Sequence, residues 1–148
     1  MVAPEELRSY AYFQWATEDS LKTMAMVSDD VKFEAGDRLF KPGEPADFMY
    51  VLTEGEVEIQ YAAGYGKRRT VDVLGAGDLM LWSAVVDPYV ATAYGVARTA
   101  CKAVAIDAAR LRQLMDEDGD LRNSLMTQIV KVTAARLKGA REQLAKLD

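Results

Sequence analysis

The chain has no histidine and only one cysteine, Cys101. Without histidine it lacks the commonest metal ligand and the usual general base at neutral pH. A lone cysteine excludes an intrachain disulfide and a thiolate zinc site. Metal-dependent hydrolysis and Ser-His-Asp chemistry therefore find no support. No acid cluster converges on one predicted element either, so the chain reads as a non-enzyme that needs no cofactor. No apolar run approaches the roughly 20 residues of a membrane span. Met1 to Glu6 is acidic and lacks the basic-then-apolar order of a secretory leader, so a cytoplasmic location is expected. Internal repeats, linkers and low-complexity segments are also missing. A chain of 148 residues, half of them hydrophobic and 28% charged, is then expected to form one domain over 1–148.

Basic charge is scarce except at one end. The formal net charge is -5, yet Leu121 to Asp148 holds six Lys/Arg against two Asp/Glu. The rest of the chain is correspondingly acidic, which argues against a nucleic-acid surface on the body. The simplest reading of the basic tail is a solvated helix face. Lys67, Arg68 and Arg69 read in the same way, as charges on an exposed turn.

What the sequence does hold is a ladder of glycines. Residues 33–57 read Phe33-x-x-Gly36-x-x-Leu39-Phe40-x-x-Gly43-x-x-Ala46-Asp47-x-x-Tyr50-x-Leu52-x-x-Gly55-x-Val57. Each glycine can take the backbone angles of a tight turn at little steric cost, and each falls between β-prone runs. This predicts a roll of short antiparallel strands near 31–34, 38–41, 48–53, 56–62, 68–73, 92–97 and 101–106. Val57, Ile59 and Tyr61 alternate with Glu56, Glu58 and Gln60, as in a half-buried strand. Ala63 to Gly66 is the expected hairpin turn. Leu81 to Val86 reads as a helical turn or two, stopped by Asp87-Pro88.

Helical periodicity flanks the roll. Helices are expected over 4–26, with Thr17 as a cap, and Tyr10, Tyr12, Phe13 and Trp15 as an aromatic plug on the core. Helices are also expected over 108–147, the first capped by Asp107. Met126, Val130, Thr133, Leu137, Ala140, Leu144 and Leu147 follow a heptad rhythm. Beside them Leu121, Leu125, Ile129 and Val132 form a second apolar stripe. One stripe is expected to pack on the roll, the other on a partner helix in a homodimer; the alternative is a helix that only wraps its own domain.

This order of elements resembles the cyclic nucleotide-binding domain superfamily, which includes catabolite-activator-type regulators, kinase regulatory subunits and gated channels. The resemblance rests on Phe33 to Val57, on Leu74-Gly75-x-Gly77-Asp78, and on Ala100 to Leu111. It implies an α+β fold: an antiparallel, jelly-roll-like β-roll flanked by short N-terminal helices and a long C-terminal helix. It further implies a phosphate-binding cassette of the form Phe-Gly-Glu-x-Ala-Leu followed by Arg-x-Ala. Anchored on Gly77-Asp78, those positions carry Met80, Leu81, Trp82, Ser83 and Ala84. The arginine falls on Ala91, or on Val90, with Thr92 following. No Arg or Lys occurs from Met80 to Ala97.

The physical consequence is a lost grip on a nucleotide. Tryptophan donates a hydrogen bond but cannot accept one from a ribose hydroxyl. Losing two charged hydrogen bonds, at about 1.5–3 kcal/mol each, weakens binding on the order of a hundred- to ten-thousand-fold. Three arrangements remain open. Trp82 fills the place of the nucleotide and closes the pocket, or it is one wall of a pocket for a less polar ligand. In the third, cyclic AMP or cyclic GMP is held by Ser83, Thr92 and helix N–H groups. With no helix pair after the long helix, direct sequence-specific DNA binding is not expected. The expected function is a non-catalytic scaffold or regulatory subunit that acts through protein-protein interaction or dimerisation. The alternative is a small-molecule sensor that controls a partner.

Overall fold

The computed structural model describes residues 1–147 and has the expected α+β architecture. α1 (Pro4–Arg8) opens on its proline, where the missing N–H costs little. A 3-10 turn follows over Ala11–Phe13, then α2 (Glu18–Met26). The Thr17 hydroxyl caps α2 by accepting the Ser20 N–H at 3.2 Å. Tyr12 and Phe13 are buried as a plug should be, but Trp15 is 52% exposed and takes no part in it.

Eight strands follow: β1 (Ser28–Phe33), β2 (Arg38–Phe40), β3 (Phe48–Glu54), β4 (Val57–Gly64), β5 (Lys67–Leu74), β6 (Leu79–Met80), β7 (Tyr94–Ala97) and β8 (Cys101–Asp107). They form two antiparallel sheets, ordered β1-β8-β3-β6 and β2-β7-β4-β5. β6 was not expected, because two residues are too short to show a period. The first sheet is covered on both faces, and its strands alternate accordingly. Met49, Val51, Val104 and Ile106 face a core shared with the helices. Leu52, Cys101 and Ala103 face the interior of the roll, with Val57, Leu74 and Met80.

The glycine ladder does what its spacing implied. Gly36, Gly43 and Gly55 have φ of +91°, +84° and +89°, a region that costs other residues steric strain. Gly55 has a second reason to be glycine. A Cβ there would lie 2.3 Å from the Ala100 carbonyl oxygen and 2.9 Å from Cys101 Sγ. The expected four-residue hairpin turn narrows to two. Gly64 and Lys67 are still paired, while Tyr65 and Gly66 both take positive φ, as a primed turn requires.

After the roll come α3 (Ala108–Glu117) and α4 (Gly119–Ala145). Asp107 caps α3 by accepting the Arg110 N–H at 2.9 Å. Asp118 caps α4 through the N–H groups of Asp120 and Leu121, at 3.0 and 3.1 Å. Its other oxygen accepts the Thr17 N–H at 3.0 Å, which ties the start of α4 to the N-terminal segment. Leu121, Leu125 and Ile129 are buried on the chain's own domain, so this stripe is the one that docks α4. α4 ends at Ala145, and Leu147 lies beyond the helix it was expected to extend.

Candidate functional site

Where the β4–β5 hairpin, the cassette segment and the middle of α4 converge, they border a cavity of about 420 Å³ that is open to solvent on one side. Ile59 and Tyr61 of β4 and Val71, Asp72 and Leu74 of β5 form one side. Leu81, Trp82, Ser83, Thr92 and Ala93 form a second, and Thr133, Arg136, Leu137 and Ala140 of α4 the third. The strand residues reach it because β4 and β5 outrun the second sheet's core. Their outer halves are exposed on a hairpin held by the primed turn.

The cassette turn keeps its shape without its glycine. Leu81 caps the 3-10 turn Trp82–Val85 with φ +64° and ψ +50°, in the left-handed region. A bulky residue there costs about 1–3 kcal/mol of strain, which the surroundings must offset. Leu81 and Trp82 both pack against the helix-side core. Tyr89, near the far end of the segment, is also left-handed at φ +60°. Arg112 of α3 holds the segment from below. Its guanidinium donates to the Ala84 carbonyl at 2.7 Å and lies 4.2 Å from the Tyr89 ring centroid.

Not every residue expected at the site reaches it. Leu81, Trp82, Ser83 and Thr92 line the cavity, whereas Met80, Ala84 and Ala91 are buried away from it. Met80 belongs to the interior of the roll. Val90 is bridged to Pro45, and Ala91 exchanges backbone hydrogen bonds with Gly43 and Glu44 at 2.9 and 2.8 Å. Trp82 is a wall of the cavity and does not fill it, so the closed arrangement is not the one observed. The heptad seam divides as well. Thr133, Leu137 and Ala140 border the chain's own cavity, and Met126 packs on the helix-side core. Val130, Leu144 and Leu147 are 60%, 65% and 72% exposed.

Two arginines escaped notice in the sequence. One is Arg112. The other is Arg136, the only cation among the residues that line the cavity. It donates to and pairs with Asp72 of β5, across 64 residues of sequence. No local signal marked it, because the periodicity of α4 does not say which flank of the seam turns toward the roll. Burial pushes the Arg136 guanidinium below its ordinary value, while Tyr12 acts in the opposite sense; it remains a cation at neutral pH. Tyr12 donates to the Gly77 carbonyl at 2.9 Å. Burial, then the charge of Asp78, raise its hydroxyl, against lowering by the Leu79 backbone and Arg136.

Among the described residues no three His, Cys, Asp or Glu side chains gather as a metal site, and no helix is long and apolar enough to cross a membrane.

Residues 30–118 match the family model described as "Cyclic nucleotide-binding domain". A curated relative, the CRP-like cAMP-activated global transcriptional regulator of Mycobacterium tuberculosis, is 27% identical over 143 residues. The match takes in 97% of this chain but 62% of the regulator, so the chain spans less than two thirds of that relative. A solved structure of a putative cyclic nucleotide-binding protein from Geobacter metallireducens superposes with a TM-score of 0.80 at 32% identity, covering 93% of this chain and 99% of that one. The sensor domain of the transcriptional regulator DNR from Pseudomonas aeruginosa superposes at 0.74 with 18% identity over 87% and 91% of the two chains, a likeness of fold.

Proposed function

This chain belongs to the cyclic nucleotide-binding domain family, and on that premise we propose that it is a non-catalytic, ligand-responsive regulatory module. A small molecule occupies the cavity of the β-roll, and α4 carries the occupancy to a partner protein or a second copy. The observation that carries this reading is the composition of the cavity wall. One side of the space that would hold the ligand is α4 itself, through Thr133, Arg136, Leu137 and Ala140. A molecule seated there touches the element that would have to move, and only such differential contact can shift a conformational equilibrium.

The size of the cavity favours ligand binding over a purely structural scaffold, because sites for small molecules run from roughly 300 to 1,000 Å³. Strained backbone at Leu81 points the same way, since such strain clusters at functional sites. The relatives' names point to cyclic nucleotides, and the cassette positions of this chain point away from them. No carboxylate occupies them, and no cation lies between Met80 and Ala97. Cyclic AMP and cyclic GMP are therefore expected to bind far more weakly than a molecule matched to the apolar wall. For the output, Val130 and Leu144 present an apolar face on the outside of α4, suited to a partner helix or a second copy.

The test uses Ala140→Trp, which adds bulk at an exposed point on the cavity wall. The wild-type chain, equilibrated with a metabolite extract and examined by native mass spectrometry, should retain a small molecule that Ala140→Trp does not. Amides of α4 should exchange more slowly when that molecule is retained. Equal retention by both proteins, or none by either, would sink the reading.

A further inference from the structure

Resting on the reading of this cavity as a ligand site, we infer that its occupant is a compact organic anion. It has an apolar body and a single oxyanion group, and Arg136 of α4 takes the charge. This places the charge recognition on the long helix and leaves the 80–92 segment as an apolar and hydroxyl-bearing wall.

The polar groups of the cavity are few and unequal. Among its lining residues Arg136 is the one cation and Asp72 the one anion. They are already paired, and what remains to each decides which ligand charge fits. Both oxygens of Asp72 are engaged, one by Arg136 and the other by the Val73 N–H at 2.9 Å. Arg136 uses one of its two terminal nitrogens on Asp72, its one hydrogen-bond partner among the described residues. A guanidinium has five N–H donors in a planar fork, so it can bind a second oxyanion, whereas the lone pairs left on Asp72 can only accept from a donor and repel an anion. Arg136 is also two-thirds removed from water, with 32% side-chain exposure, where a charged hydrogen bond is worth more than at a surface.

The rest of the wall sets the body of the ligand. Phe40, Ile59, Leu74, Leu79, Leu81 and Trp82 offer apolar surface. Among the described residues no Asn or Gln lines the cavity, so a purine edge would find few partners. The Thr133 hydroxyl is occupied with the Ile129 and Val130 carbonyls at 2.8 and 3.1 Å. Tyr61, Ser83 and Thr92 are left to serve whatever polar groups the ligand has beyond its charge. A ribose and a purine together would bury more donors and acceptors than this wall can pair, and each unpaired group costs binding energy.

Two fluorescent probes of similar body separate the charge from the apolar fit: anionic anilinonaphthalene sulfonate and neutral phenylnaphthylamine. Titrated into the intact chain, the anion should bind roughly tenfold or more tightly than the neutral probe, the worth of one charged hydrogen bond. Arg136→Gln should bring the two affinities together. Asp72→Asn should tighten anion binding by removing the negative charge that competes for Arg136. It does not touch the arginine, so it decides the matter even where Arg136→Gln folds poorly. Naphthoate and naphthyl phosphate, as competitors, show whether a carboxylate or a phosphate ester is the better head group. Equal binding of both probes by the wild type, an anion preference that survives Arg136→Gln, or no gain with Asp72→Asn overturns the inference. In those cases loss of neutral-probe binding in Ala140→Trp still upholds the cavity as a ligand site. Probe binding that Ala140→Trp leaves unchanged overturns both.

Discussion

Among the described residues the pair between Arg136 and Asp72 is the one side-chain hydrogen bond from α4 to the β4–β5 hairpin, and a double-mutant cycle measures what it contributes. The four proteins are wild type, Arg136→Gln, Asp72→Asn and the double variant. The side chains are 32% and 36% exposed, so the pair lies between two known cases. Exposed ion pairs contribute about 0.2–1 kcal/mol, and hydrogen bonds to well-buried charges about 1.5–3 kcal/mol. A coupling energy of about 1 kcal/mol is expected, near the top of the exposed range and below the buried one. Urea unfolding followed by circular dichroism gives the four stabilities. The coupling should shrink, without vanishing, when salt is raised from about 0.05 to about 0.5 M, since the pair is only partly screened. Additivity of the two single changes to within about 0.3 kcal/mol at low salt would refute it. The pair would then be an incidental contact, and α4 would have no electrostatic tie to the β4–β5 hairpin.

Other consequences are open to direct measurement. Gly55→Ala should cost about 3 kcal/mol or more, because left-handed strain adds to overlap with backbone at Ala100, whereas Gly77→Ala, with similar φ and open space around it, should cost about 1–2 kcal/mol; equal urea midpoints for the two would refute the close-approach explanation. Asp118 is subject to burial, which raises its carboxyl, but N–H groups of Thr17 and Leu121 and the hydroxyls of Ser20 and Thr17 outweigh this and hold it below the ordinary value. A depressed carboxylate stabilises the fold above its unfolded pKa and loses that contribution as pH falls through the folded value. Asp118→Asn should therefore be about 1–2 kcal/mol less stable at neutral pH, and the gap should narrow below about pH 4; a gap constant with pH would count against the capping role. On the proposed use of the outer face of α4 by a second copy, the wild type should sediment as a dimer and Val130→Glu combined with Leu144→Glu as a folded monomer; an equal mass for the two would remove that face as an interface.

The roll was legible because its signals are local. Positive φ at Gly36, Gly43 and Gly55 is a demand each turn makes on one residue, and strand alternation is a demand each face makes on its neighbours. Thr17 and Asp107 marked helix starts for the same reason: a cap is made within three residues. The cavity was only half legible. The cassette side could be assigned by counting from Gly77-Asp78, which located Leu81, Trp82, Ser83 and Thr92. The α4 side depends on how the docking stripe Leu121, Leu125 and Ile129 rotates the helix against the roll. Periodicity shows that two stripes exist but not which flank of the seam turns inward. Arg136 and Asp72 meet only through that rotation. Arg112 likewise reaches Ala84 from an element 28 residues away.

Two links now join the cavity to the helices, and they differ in kind. Arg112 holds the cassette segment to α3 at Ala84 and Tyr89, so a ligand pressing on Leu81 or Trp82 is resisted by α3. Arg136 joins β5 to α4 through the cavity itself, so a ligand that draws on its guanidinium acts on α4 without an intermediary. The second route has thermodynamic consequences for anything that binds outside. The residues that line the cavity and those that form the exposed face, Leu137 beside Val130 and Leu144, are carried by one helix. On the proposed function, a partner that fixes α4 in one position changes the affinity of the cavity to the extent that the ligand distinguishes that position, and the ligand then changes the affinity for the partner by the same factor. On that same reading, a link of about 1 kcal/mol that is made in one position of α4 and lost in the other sets an upper bound of about fivefold on that factor, so one arginine and its carboxylate cap the gain of the relay.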